Sequence, residues 1–121
     1  MDINDLAEKA YEIAVKRAQK GQIEDPCDTE AMLKHCAGEV VEATIAYKDW
    51  DEVGRLSDYD CAVKKINRID EIAHRFTDFA REIADVIMCC LIVAKNENID
   101  IEVALEKCLE KNRKRAEAEN E

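Results

Sequence analysis

Four acidic residues stand at spacings that bring carboxylates together: Glu39 and Glu42 in one stretch, Glu82 and Asp85 in another. On a helix, residues three apart are neighbours on one face, so each pair offers oxygen donors to the same side. Met32, Cys36, Ala43 and Ala46 flank the first pair, and Glu39 interrupts what is otherwise an apolar stripe. The second pair leads into Ile83-Ala84-Asp85-Val86-Ile87-Met88-Cys89-Cys90-Leu91-Ile92-Val93-Ala94, apolar all round except for Asp85. A helix apolar on every side belongs at the buried centre of a domain, so these acids are predicted to be drawn inward. An ionised carboxylate leaves water at high cost unless it is paired, hydrogen-bonded or bound to a cation. A divalent ion shared between the two helices relieves that cost, and four hard oxygens suit magnesium or manganese rather than zinc. One such pair, in a chain with 28 acidic residues, reads as a solvated face. Two pairs, each set in an apolar stripe on a separate long helix, point to a site.

The elements that must position these residues are helical throughout. The spacing of Leu6, Ala10, Ile13, Ala14 and Ala18 predicts a helix over about 4–20 that stops near Gly21. A polar connector with the only proline, Pro26, leads to Asp28, a good N-cap for a second helix through about residue 48. The polar stretch 49–57, which contains Gly54, reads as a loop. A weakly patterned helix is expected over 58–74, a strong one over 77–95, and a last one over 101–115 after Asn98 and Asp100. The polar tail 116–121 is expected to fray. Short connections between long amphipathic helices favour an antiparallel bundle of four or five helices. The 121 residues suit a single domain with its core over about 28–115, and the long apolar faces of so small a chain predict a homo-oligomer.

Composition narrows the function classes. A formal net charge of −10 speaks against unaided binding to nucleic acid polymers or anionic membranes. A small anionic ligand stays open if metal ions invert the local sign. The six cysteines include no C-x-x-C pair, and the first residues are acidic rather than basic. They are expected to be reduced cysteines acting as small core residues in a soluble, cytoplasmic protein. No apolar stretch is long enough to cross a bilayer.

Gly38-Glu39-Val40-Val41-Glu42-Ala43, followed by Arg81-Glu82-Ile83-Ala84-Asp85-Val86-Ile87, resembles the E-x-x-E … E-x-x-D signature of MazG-like nucleoside triphosphate pyrophosphohydrolases. That superfamily also holds the all-α dUTPases and dCTP pyrophosphatases. Asn98-Ile99-Asp100-Ile101-Glu102-Val103-Ala104 resembles the family's turn into its last core helix, and Lys111, Asn112 and Arg115 stand where a Lys-Asn pair and a trailing Arg are common. The likeness spans roughly residues 33–115. It implies that Glu39, Glu42, Glu82 and Asp85 bind magnesium, with manganese as a substitute, and that the substrate is cleaved between its α and β phosphates. The products would be a nucleoside monophosphate and pyrophosphate, a reaction suited to housecleaning of the nucleotide pool. Glu39 or Glu42 would act as general base, Lys111 and Arg115 would hold phosphate oxygens, and Asn112 phosphate or ribose. The family is commonly dimeric or tetrameric. This chain departs from the pattern in three places. Gly38 replaces a frequent glutamate, the span between Glu42 and Glu82 is longer than usual, and Ala116 stands where Tyr-Pro often follows the last Arg.

Other constellations carry less. Glu71 and His74 form one E-x-x-H unit, but di-iron bundles need two, and the only other histidine, His35, has Met32 in the required position. Basic residues near Lys111 also suit a helix C-terminus through the macrodipole. Tyr47, Trp50 and Tyr59 read as core or subunit contacts. The competing reading from another class is a catalytically silent helical scaffold or regulatory module of the same fold.

Overall fold

The computed structural model describes residues 2–119. It is all-helical, a bundle of α1 (Ile3–Gln19), α2 (Thr29–Gly54), α3 (Asp58–Val63), α4 (Arg68–Asn96) and α5 (Ile101–Glu119), with no strand among the described residues. None of these helices is long and apolar enough to cross a membrane. Asp2 caps α1, its carboxylate accepting from the backbone of Asn4 at 2.8 Å, and Asp28 caps α2 by accepting from Ala31 at 3.1 Å.

The chain packs as two compact units, one from residues up to Leu33 together with those from Cys90 onward, the other Lys34–Cys89. In the first unit, Ala7, Ala10 and Ala14 form the buried stripe of α1, and Leu91 and Ala94 of α4 are buried too. Asn96 is its polar hub. Its Nδ2 donates to the Cys27 carbonyl at 3.2 Å and to Thr29 Oγ1 at 2.7 Å, and its Oδ1 accepts from the Tyr11 hydroxyl at 3.2 Å. Asp100 begins α5 by accepting from the Val103 backbone at 3.2 Å, and Asn4 donates to the same oxygen at 3.1 Å.

In the second unit, Cys36, Glu39, Ala43, Ala46, Trp50 and Val53 recur at alternating three- and four-residue steps and form a buried or half-buried stripe of α2. On α4 the matching positions are Arg75, Phe79, Glu82, Val86 and Cys89. Aromatic rings bind the two helices: Tyr47 meets Phe79 at 5.6 Å, Trp50 meets Phe76 at 5.6 Å and lies stacked on Phe79 at 6.0 Å. As α2 advances from residue 47 to 50, its ring partners on α4 step back from 79 to 76, so these segments run antiparallel. Arg68 pins the corner between them by donating to the Leu56 carbonyl at 2.7 Å and pairing with Asp58 at 2.9 Å.

Several boundaries differ from the sequence expectation. Residues 49–54 continue α2 instead of forming a loop, because Trp50 and Val53 extend its inner stripe while the polar residues cover its outer face. The helix expected over 58–74 is broken: α3 ends at Val63, and α4 begins at Arg68 rather than near Thr77. The break is a left-handed cap at Lys65 (φ 56°), where the Ile66 N–H reaches back to the Cys61 carbonyl at 2.9 Å. α5 runs on through Glu119, so residues 116–119 of the expected frayed tail are helical; residues 120 and 121 lie outside the described residues. The expectation that the Asp85 stretch is buried all round fails, since Ile83 is 42% and Ile87 50% exposed, and Asp85 itself is exposed. All six cysteines are free, yet only Cys36, Cys61 and Cys89 are the expected core residues; Cys27, Cys90 and Cys108 are exposed.

Candidate metal centre

Glu39 and Glu42 of α2 and Glu82 of α4 bring one carboxylate oxygen each to within 4.8 Å of one another. The antiparallel register of the two helices does this. Glu39 and Glu82 occupy inner positions of their stripes and are half-buried, whereas Glu42, one position round the helix, is exposed. The sequence expectation that all four acids leave water is thus met in part, by Glu39 and Glu82, and not by Glu42 and Asp85.

One oxygen of Glu39, Oε2, and one of Glu82, Oε2, are buried without a hydrogen-bond partner. Such atoms forgo their interactions with water and gain nothing in return. Burial pushes the Glu39 carboxyl above the ordinary range, with the neighbouring Glu42, through its charge and a hydrogen bond, and then Asp85 adding to the effect; His35 opposes it. His35 Nε2 lies 3.1 Å from Glu39 Oε1, one helical turn away. Glu82 is pushed up as well, by burial first and then by the charges of Glu42 and Asp85. The acids therefore repel one another in the absence of a cation. Hard oxygen donors, a short mutual distance and orphaned buried lone pairs all fit a magnesium or manganese ion.

Asp85 stands outside the tight trio but borders the same cavity, of about 660 Å³, with Glu42 and Glu82. His74, Arg75, Asp78 and Arg81, from the same helix as Glu82 and Asp85, line it too. Arg75 donates through Nε to Glu71 at 2.8 Å and through a terminal nitrogen to the Asp49 carbonyl at 3.2 Å, fixing it between the helices. Glu71 is thereby committed to Arg75 in an ion pair.

Sequence reasoning missed this basic wall. Its signal was available: Asp78 and Arg75 precede Glu82 by four and seven residues, the repeat that defines a helix face. The pattern was obscured by placing the start of the helix at Thr77. His35, four residues before Glu39, is a second partner legible only once the face is drawn. Lys111, Asn112 and Arg115 belong to the first unit, on α5, where all three are exposed and the Asn112 amide lies 3.9 Å from Cys108 Sγ. No family model, curated protein or solved structure matches the chain.

Proposed function

We propose that this chain is a magnesium-dependent nucleoside triphosphate pyrophosphohydrolase that converts its substrate and water into a nucleoside monophosphate and pyrophosphate. The observation that carries the reading is the trio of glutamate oxygens from two helices within 4.8 Å, with the second oxygens of Glu39 and Glu82 buried and unpartnered. The resemblance of these two motifs to the MazG-like signature supplies the reaction class.

Glu39, Glu42 and Glu82 are the cation-holding groups, with Asp85 at the cavity edge as the fourth. A divalent ion held there would supply charge neutralisation on the polyphosphate and Lewis-acid polarisation of a phosphoryl oxygen. Glu39 or Glu42 would take the proton of the attacking water, both standing in the trio beside the cation. Asp85 orients the site from its exposed edge. The resemblance alone assigns phosphate oxygens to Lys111 and Arg115 and phosphate or ribose to Asn112. The working form would be a cytoplasmic homodimer or homotetramer acting on surplus or noncanonical nucleotides.

Turnover in ¹⁸O-labelled water tests the reading. The chain should release pyrophosphate and place the label in the monophosphate, with magnesium or manganese and not with chelator. Asp85→Asn should lower kcat by about a hundredfold or more, the scale for losing an electrostatic contributor to the transition state. Folded protein that turns over no nucleoside triphosphate with either metal would leave the silent-scaffold reading in its place.

A further inference from the structure

The cavity beside the acidic trio, at about 660 Å³, falls in the size range of small-molecule sites, roughly 300–1,000 Å³. Apart from Ile45 and Ala46, its lining is ionisable. It contains no amide, hydroxyl, phenyl or indole side chain. A wall of this kind discriminates charge.

Its cations are arranged in two ways. Arg75 is fixed by Glu71 and the Asp49 carbonyl, so its guanidinium is already oriented. His74 Nε2 and Arg81, by contrast, approach Asp78 only at 3.6 Å and 3.8 Å, and both side chains are largely exposed. Contacts this long are weak and can be exchanged for a phosphate oxygen at little cost. These residues and Glu82 share one helix, with positions 75 and 82 about 10 Å apart along its axis.

We propose that His74, Arg75 and Arg81 receive phosphate groups of the substrate in the cavity that Glu42 and Glu82 of the acidic trio also line. This rests on the pyrophosphohydrolase reading and adds to it a phosphate subsite within the unit that carries the carboxylates. It also sets an order. Glu42, Asp49, Glu71, Asp78, Glu82 and Asp85 outnumber the cations around the cavity, so a bare anion is repelled and the divalent ion must bind first.

Calorimetric titration of the full chain with inorganic pyrophosphate, with and without magnesium, tests the assignment. The wild-type chain should bind pyrophosphate only when magnesium is present. The double variant His74→Ala, Arg81→Ala should bind it at least about tenfold more weakly, the scale of one or two charge-assisted hydrogen bonds. Arg81→Lys should recover part of the loss. Manganese affinity in the absence of pyrophosphate should not fall in either variant, and matching helical circular dichroism confirms the fold. Should the double variant fail to fold, Arg81→Ala alone, at an exposed position, reads the same quantity. Pyrophosphate affinity within twofold of wild type in the variants would overturn the assignment. So would wild-type binding that is absent, or that ignores magnesium. Loss of pyrophosphate binding in the variants without any nucleotide turnover by wild type would instead defeat the hydrolase reading and leave the phosphate subsite standing.

Discussion

Glu39 occupies a position that the rest of the α2 stripe fills with apolar or aromatic side chains, and on α4 Glu82 lies between Phe79 and Val86 of its stripe. Both carboxyls are raised above the ordinary glutamate value of 4.5. The native state therefore keeps protons to a higher pH than the unfolded chain does. Stability contributed by these groups is present at low pH and declines as pH rises from the ordinary value through the raised native ones. Asp100 has the opposite sign: hydrogen bonds from Asn4 and then the Val103 backbone lower it, so its contribution is lost only below its ordinary value of 3.8. Between pH 5 and pH 7, then, metal-free protein should melt at a lower temperature as pH rises, and saturating magnesium should remove most of that dependence. Glu39→Gln should flatten the metal-free profile while weakening manganese binding at least about tenfold, since it removes a charged ligand. A metal-free melting temperature that rises from pH 5 to pH 7 would contradict this. The four acids were legible in sequence because a charge inside an apolar stripe has few cheap explanations. Their unequal burial was not, because one position round a helix separates Glu39, half-buried, from Glu42, exposed.

Three helices end on the same device, in which a residue of positive φ lets two N–H groups return to carbonyls of the last turn. Gly21 does this after α1, Lys65 after α3 and Asn98 after α4, with φ of 71°, 56° and 56°. The glycine and the asparagine announce their breaks, since both residue types enter the left-handed region readily. Lysine does not, and that is why α3 and α4 read as a differently divided pair. The same reasoning predicts that Lys65→Gly stabilises the chain, because a residue with a Cβ gives up about 1 kcal/mol in that conformation. Chemical denaturation measures this directly, and a loss of stability would mean that the Lys65 side chain makes a contact worth more than the strain. Placing the start of α4 at Arg68 adds the turns that carry His74, Arg75 and Asp78. Those turns carry the cations that line the cavity beside Glu82.

For the molecule as a whole, charge and apolar surface pull in different directions. A net charge of −10 disfavours unaided binding to polyanions. Yet Val40, Tyr47 and Ile83 are 50%, 45% and 42% exposed, and they border one shallow apolar groove of the Lys34–Cys89 unit. A half-exposed aliphatic side chain forgoes roughly 1 kcal/mol of burial, so the proposed self-association has a candidate surface here. Sedimentation equilibrium should find a dimer or tetramer, and Ile83→Glu should shift it toward monomer; a wild-type monomer at micromolar concentration would refute that. The apolar sequence around Asp85 predicts burial that the chain provides only in part. What it could not say is whether the burial comes from the chain itself, and the exposed Ile83 and Ile87 show that the chain does not supply it alone. The central claim is narrower, that Glu39, Glu42 and Glu82 hold a cation on which nucleotide cleavage depends. Pyrophosphate release measured against magnesium concentration, for wild type and for Glu82→Gln of unchanged helicity, tests it most directly. Saturable activation in wild type, with about a hundredfold loss of kcat/KM in the variant, is the predicted result; equal turnover by the two proteins, or turnover undiminished by chelator, would contradict it.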